Sequence, residues 1–166
     1  MHRQRAIFAQ KAMIYRANLH YHCLPFRELS LAELYSIMAL RQEVFVVEQN
    51  CPYLDADGKD LPAHHLLGYD QRGTLAAYSR LLPMGISYEE YPSFGRVVTA
   101  PAVRGQGRGR ELMERTLEWM ERLYGRRAIK ISAQCYLIPF YRSLGFHTVG
   151  EEYLEDDIPH VGMVRG

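Results

Sequence analysis

A chain of 166 residues and 19.2 kDa fits one domain of ordinary size, since single cores form units of roughly 100–200 residues; two full domains are excluded. With 48% hydrophobic and 23% charged residues, the composition is globular, which excludes a disordered or low-complexity chain for its bulk. Lys+Arg total 20 against 19 Asp+Glu, a balance of +1, so no global field draws in nucleic acid and any anion site must be local.

Residues 1–17 carry Arg3, Arg5, Lys11 and Arg16, with no acidic residue before Glu28. Lys11, Arg16 and Asn18 interrupt any apolar run of secretory length, and no serine of the kind usual in transit peptides precedes Ser30. A disordered extension is expected here, with Met13 as an alternative start. No stretch reaches the roughly 20 apolar residues of a membrane span. Cys23, Cys51 and Cys135 are far apart and form no C-x-x-C pair, which points to a reducing compartment and hence the cytoplasm.

An extended segment is expected around 18–26. Ser30 then opens S-L-A-E, the spacing of a capping box in which Ser30 and Glu33 satisfy each other's backbone N–H groups. Leu34, Ile37, Met38 and Phe45 hold an apolar helical face to about Val47, with Arg41, Gln42 and Glu43 on the opposite, wet side. Residues 48–62 are dense in turn formers, among them Asn50, Pro52, Asp55, Asp57, Gly58 and Pro62, and predict an ordered surface loop of the kind that lines sites. Segments 64–70 and 74–82 around Gln71-Arg72-Gly73 predict a hairpin with Gly73 at positive φ. A loop over 83–92 and a short strand over 94–99 follow. The helix expected over 107–124 is apolar at Leu112, Met113, Leu117, Met120 and Leu123, pairs Glu111 with Arg115 and Glu118 with Arg122, and stops at Gly125. A strand over 128–133, a short helix over 139–144 closed by Gly145, and strands over 146–150 and 160–164 complete the chain. The acidic run 151–157 is expected as a solvated loop, although it could attract a cationic amine. Strands and helices interleave, so the fold class is mixed α/β, without repeat or linker.

The chemical signal follows the 94–99 strand. Val97, Val98 and Thr99 lead through Ala100-Pro101-Ala102-Val103 into Arg104-Gly105-Gln106-Gly107-Arg108-Gly109-Arg110, where an amphipathic helix begins. A helix start presents unpaired N–H groups and the positive end of a dipole, and glycines let a phosphate reach the backbone. Three glycines here cost up to about 1 kcal/mol each wherever they fall in helical geometry, a cost that a bound diphosphate offsets. The stretch is not G-x-x-x-x-G-K-[ST]. Nor is it G-x-G-x-x-G with a downstream acid, so dinucleotide binding stays only as an alternative. His20, His22, Cys23, His64 and His65 match no zinc spacing, and no metal is expected.

Arg104, Gly107 and Gly109 resemble the (Gln/Arg)-x-x-Gly-x-(Gly/Ala) pyrophosphate motif of the GNAT N-acetyltransferase superfamily. Ile138-Pro139-Phe140-Tyr141-Arg142-Ser143-Leu144-Gly145-Phe146 is similar to its later F-Y-x-x-x-G-F helix. Leu40-Arg41-Gln42-Glu43-Val44-Phe45-Val46-Val47-Glu48-Gln49-Asn50-Cys51-Pro52-Tyr53, Asp57-Gly58-Lys59-Asp60 and Ile158-Pro159-His160 resemble the ElaA-like branch. The likeness runs from about residue 18 to the end, which implies a single GNAT domain over 18–166 with a mostly antiparallel sheet, splayed at its centre and flanked by helices. The resemblance implies acetyl transfer from acetyl-CoA directly to an amine in a ternary complex, with no covalent intermediate. It further implies Arg104, Gly105, Gln106, Gly107, Arg108, Gly109 and Arg110 around the pyrophosphate and Val97, Val98 and Thr99 along the pantetheine arm. Tyr141 is implied as the acid that protonates the departing thiolate. For the base, Glu43, Glu48 and His64 stand as candidates, each equally readable as a solvated carboxylate or structural histidine. The partner implied is a small-molecule or peptide amine, with no nucleic acid and no membrane, and a homodimer is left open. A non-catalytic CoA-binding module and a nucleotide-dependent oxidoreductase are the competing readings.

Overall fold

The computed structural model describes residues 18–166; the extension expected over 1–17 lies outside the described residues. In chain order come β1 (His20–Pro25), α1 (Leu31–Arg41), β2 (His64–Tyr69), β3 (Leu75–Leu82), β4 (Ser93–Thr99), α2 (Arg108–Tyr124), β5 (Ile129–Gln134), α3 (Ile138–Arg142), β6 (His147–Glu155) and β7 (Ile158–Arg165). The strands form two sheets, β1-β2-β3-β4 and β5-β7-β6, with every ladder among the described residues antiparallel. β4 and β5 touch where the Lys130 N–H donates to the Pro92 carbonyl at 3.2 Å, just before β4 begins and just inside β5. Beyond that bond no ladder joins them, so the expected central splay opens toward their C-terminal ends.

β3 is buried along its whole length and contributes to cores on both faces. On one, Leu66, Ala77 and Leu81 pack with Leu112, Met113 and Met120 of α2. On the other, Leu67 and Tyr78 pack with Ile37, Leu40 and Val44. The Ser30–Glu33 capping box forms as expected, with the Glu33 N–H donating to Ser30 Oγ at 3.2 Å and the Ser30 N–H to Glu33 Oε2 at 2.8 Å. Gly73 takes φ +77° in the β2–β3 hairpin.

Four expectations are corrected. Arg41 is not on a wet face but is 0% exposed, because position 41 is one turn beyond Ile37 and falls on the same stripe as Leu40 and Val44. Its partners come from the loop over 48–62, which is therefore not merely a surface loop: Asp55 and Asp60 are buried as well. The acidic run is not a loop either. β6 continues through Glu155, and only Asp156 and Asp157, both at positive φ, make the turn into β7; aspartate tolerates that conformation in a two-residue hairpin turn. On α2, Arg115 bonds forward to Glu118 at 2.9 Å and Arg108 to Glu111 at 2.5 Å, while Arg122 lies over Trp119 at 5.1 Å. These pairings take the place of the expected Glu111–Arg115 and Glu118–Arg122 pairs.

Past Arg41 the helix widens into a π-helical segment, Gln42–Glu48, in which the Gln49 N–H reaches the Val44 carbonyl at 3.2 Å. π-segments of this kind occur frequently at functional sites. Its end leads into the loop that Arg41 holds. Arg41 Nε donates to Asp55 Oδ2 at 2.8 Å and Nη1 to Asp60 Oδ1 at 2.6 Å. Arg80 of β3 makes two bonds to Asp57, at 2.7 and 2.9 Å, and Arg96 of β4 reaches Asp55 Oδ1 at 2.7 Å. His65 Nε2 lies 3.0 Å from the Asp60 carbonyl and Nδ1 lies 2.8 Å from the Tyr78 hydroxyl. A carbonyl can only accept, so Nε2 carries the proton and Nδ1 accepts from Tyr78. Burial lowers the His65 pKa, in keeping with that neutral ring.

Burial works against ionisation of Asp57 and Asp60, but hydrogen bonds and charge from Arg80 and Arg41 outweigh it and hold both pKa values below the ordinary carboxylate value. Carboxylates depressed on folding contribute stability that is complete above their unfolded pKa of about 4 and is lost as pH falls through the lower folded values. Urea midpoints should therefore be steady around neutrality and fall steeply below about pH 4. Arg41→Met removes the shared guanidinium from two buried carboxylates, leaving Asp55 to Arg96 and Tyr53 and Asp60 to Arg80, and should cost about 3–5 kcal/mol in urea unfolding at pH 7; a loss under about 1 kcal/mol, as for a surface pair, would show that the network is not what holds the loop.

Candidate active site

The splay between β4 and β5 opens a cavity of about 840 Å³. One wall is β4, where a single β3 residue, Ser79, spans Arg96 and Val97, since Tyr78 pairs with Val98 and Arg80 with Gly95. This is a β-bulge, and it turns the β4 backbone away from regular pairing. Arg96 sits in it at φ +52°, a conformation of about 1–3 kcal/mol strain for a non-glycine residue. Its ion pairs to Asp55 and Asp57, at 2.7 and 3.4 Å, and its place over the Tyr53 ring at 5.5 Å hold it there.

Of the residues expected at the site, Val97, Val98, Thr99, Arg104 and Tyr141 all line this cavity. The Val98 side chain belongs to the core, so what β4 offers there is backbone. Gly105, Gln106, Gly107, Arg108, Gly109 and Arg110 follow directly on Arg104, forming the loop and first turn of α2. Gly107 is the N-cap at φ +76° and makes no side-chain cap, leaving the first N–H groups of the helix without an intrahelical acceptor. A Cβ built at Gly105, Gly107 or Gly109 meets nothing within 4 Å, so the space over this backbone is open. The arginine side chains are engaged elsewhere. Arg104 makes two bonds to Glu48, at 2.7 and 3.1 Å; the buried Arg108 holds Glu111; and Arg110 donates to Ser143 Oγ at 2.7 Å and lies over Phe140. That last contact ties the α2 start to the helix that carries Tyr141.

Tyr141 is 7% exposed and packed among Phe94, Phe140 and Phe146. Burial, assisted by Tyr136, pushes its phenol up to about 12, so it keeps its proton at neutral pH and can donate it. The base candidates separate. Glu43 is exposed and outside the cavity lining; His64, half-buried, lies outside it too, and burial lowers its pKa. Glu48 lines the cavity but is held by Arg104.

The opposite wall comes from β5, β6 and β7. Ladder pairs Gln134–His160 and Tyr153–His160 place these side chains on one face, with Ser132 and Glu155 two residues along. All five line the cavity. Ser132 Oγ hydrogen-bonds to the Tyr153 hydroxyl and donates to Glu155 Oε2 at 3.1 Å. Across from them, burial and then Tyr153 and Glu155 push the Tyr88 phenol up to about 12. The sequence reading missed this wall because it placed 151–157 in a loop; period-2 alternation continued through Glu155 was the available signal. Arg96 gave no such signal, since arginine carries no preference for positive φ.

Residues 53–165 match the family model described as an acetyltransferase (GNAT) domain. The chain belongs to the GNAT acetyltransferase family. Protein ElaA of Escherichia coli K12 is 44% identical over 140 residues, 83% of this chain and 90% of ElaA. The crystal structure of E. coli ElaA superposes with a TM-score of 0.82 at 41% identity, covering 89% of this chain and 99% of that one. An acyl-CoA N-acyltransferase from Pseudomonas aeruginosa gives 0.84 at 48% identity, with the same coverage. The splayed antiparallel α/β architecture is thus the GNAT acyl-CoA N-acyltransferase fold, and the chain is ElaA-like within it.

In this GNAT chain the open space over Gly109 makes it a sharp test of the α2 amides. Gly109→Ala has room for its methyl group in the free protein and should stabilise α2 by up to about 1 kcal/mol. The same methyl group stands over the amides, so calorimetry should show weaker coenzyme A binding. A rise in Tm with unchanged affinity would remove that backbone from the binding surface.

Proposed function

We propose that the protein moves an acetyl group from acetyl-CoA directly to an amine in a ternary complex. The observation carrying this is that Tyr141, the bulged β4 edge and Arg104 line a single cavity, and that the chain runs from Arg104 directly into the start of α2, which has no side-chain cap. The pyrophosphate sits against the N–H groups of Gly105 to Arg110, where the helix dipole favours anions. Arg108 takes part through its backbone, its guanidinium being held by Glu111, and Arg104 reaches the phosphates by leaving Glu48. The pantetheine arm runs along Val97, Val98 and Thr99, whose peptide groups have no strand partner on the β5 side. An amide near Val98 polarises the thioester carbonyl. The amine nitrogen attacks that carbon, the C–N bond forms as the C–S bond breaks, and Tyr141 donates its proton to the thiolate. No side-chain nucleophile is needed.

The acceptor is a small-molecule or peptide amine. No helix of the described residues is long and apolar enough to cross a membrane, and three free cysteines suit a reducing compartment, the cytoplasm.

Acetyl-CoA and desacetyl coenzyme A should each raise Tm, by about 2.7 kcal/mol of added stability at a hundredfold excess over Kd, whereas NAD should not. A shift with NAD alone would favour the oxidoreductase. Thiol release across a panel of polyamines, aminoglycosides, simple alkylamines and peptides should then be amine-dependent; silence throughout would leave a binding module. Tyr141→Phe should slow release by about 100-fold with little change in coenzyme A affinity, and wild-type rates in that variant would remove Tyr141 from the chemistry.

A further inference from the structure

An ammonium ion has no lone pair, so an amine acceptor with a pKa of about 10 must lose a proton before it attacks. Resting on the acetyltransfer reading above, we infer that His160 is the general base that takes this proton, and that the acceptor is a primary alkylamine presented along the β5–β7–β6 wall. Three observations converge on His160. It lines the cavity that also holds Tyr141 and the β4 edge, and it pairs with Gln134, the last residue of β5 before the chain turns into the segment bearing Tyr141. Its Nδ1 lies 2.7 Å from the Ile158 carbonyl; since a carbonyl only accepts, the proton sits on Nδ1 and the basic lone pair is left on Nε2. Its ring stacks against Tyr153 at 6.1 Å between centroids and 21° between planes, which fixes that orientation.

Four carboxylates line the cavity; Asp156 lies exposed in the turn between β6 and β7, and the other three are engaged. Glu48 is held by Arg104, Asp57 by Arg80 and Arg96, and Glu155 accepts from Ser132. Tyr153 and Glu155, beside His160 on the same face, suit an ammonium group before it is deprotonated. The protons balance. Acetyl transfer from an ammonium ion removes two protons from nitrogen: one passes to His160 Nε2 and on to solvent, and the other restores to Tyr141 the proton it gives to the thiolate.

The test exploits the fact that a base is needed only by a protonated acceptor. Wild type, His160→Gln and Glu155→Gln are compared at neutral pH and saturating acetyl-CoA. The acceptors are the fastest alkylamine of the panel and the alkoxyamine that replaces its α-carbon with oxygen, starting from 2-phenylethylamine and O-benzylhydroxylamine. The alkoxyamine is unprotonated at neutral pH. His160→Gln should lower kcat with the alkylamine by about 100-fold or more, yet by less than about tenfold with the alkoxyamine; Tm and coenzyme A affinity should stay at wild-type values, which separates the effect from misfolding. Equal losses with both acceptors, no loss with either, or the selective loss appearing in Glu155→Gln instead would each overturn the assignment while leaving acetyltransfer intact. A wild-type protein that binds acetyl-CoA and acetylates no amine overturns both.

Discussion

Arg41 carries a positive charge with no exposed surface, and the working geometry of the molecule depends on how that charge is met. Removing an ion from water costs several kcal/mol unless its hydrogen bonds and charge are both satisfied. Here two aspartates and a carbonyl from the loop over 48–62 satisfy them, so the loop cannot leave without stranding the guanidinium. The same aspartates reach onward to Arg80 on β3 and Arg96 in the β4 bulge. One network thus joins the end of α1, an irregular loop and the strained strand edge at the cavity.

That coupling explains how a bulge with a left-handed arginine persists. Arg96 takes up a conformation it disfavours, but from it the guanidinium reaches Asp55 and Asp57, and the surrounding network over-determines its place. The bulge keeps β4 out of register beside the gap left by β5, and the cavity occupies the gap. The two walls differ in chemistry. The β4 side leads to the glycine-rich start of α2 and its open amides, whereas the β5–β7–β6 side presents hydroxyls, an imidazole and a carboxylate. The proposed reaction assigns a diphosphate-bearing thioester to the first wall and an amine to the second.

Legibility in the sequence varied with the range of the interaction. The Ser30–Glu33 cap, the Gly73 turn and the α2 stripe from Leu112 to Met120 rest on contacts within a few residues, and each was readable. The family resemblance carried by Arg104 to Gly109 was readable because those residues are contiguous in the chain. Arg41 reads from its charge as a surface residue, although its spacing from Ile37 places it on the buried stripe. The residues 151–157 were misjudged because their acidity resembles a loop, while pairing with β7 extends them as strand. His160 was visible as part of a branch signature, but nothing local showed that it shares a cavity with Tyr141.

By itself the sequence determined the order of elements and the helix caps and turns, because these follow from periodicity and backbone freedom within one or two turns of chain. Only the tertiary structure decided which charges are buried together, where β4 parts from β5, and which side chains from β5, β6 and β7 share a cavity with Tyr141. Those relations join residues up to 41 positions apart, and their energy comes from desolvated ion pairs and ladder register, which exist only once the distant segments have met.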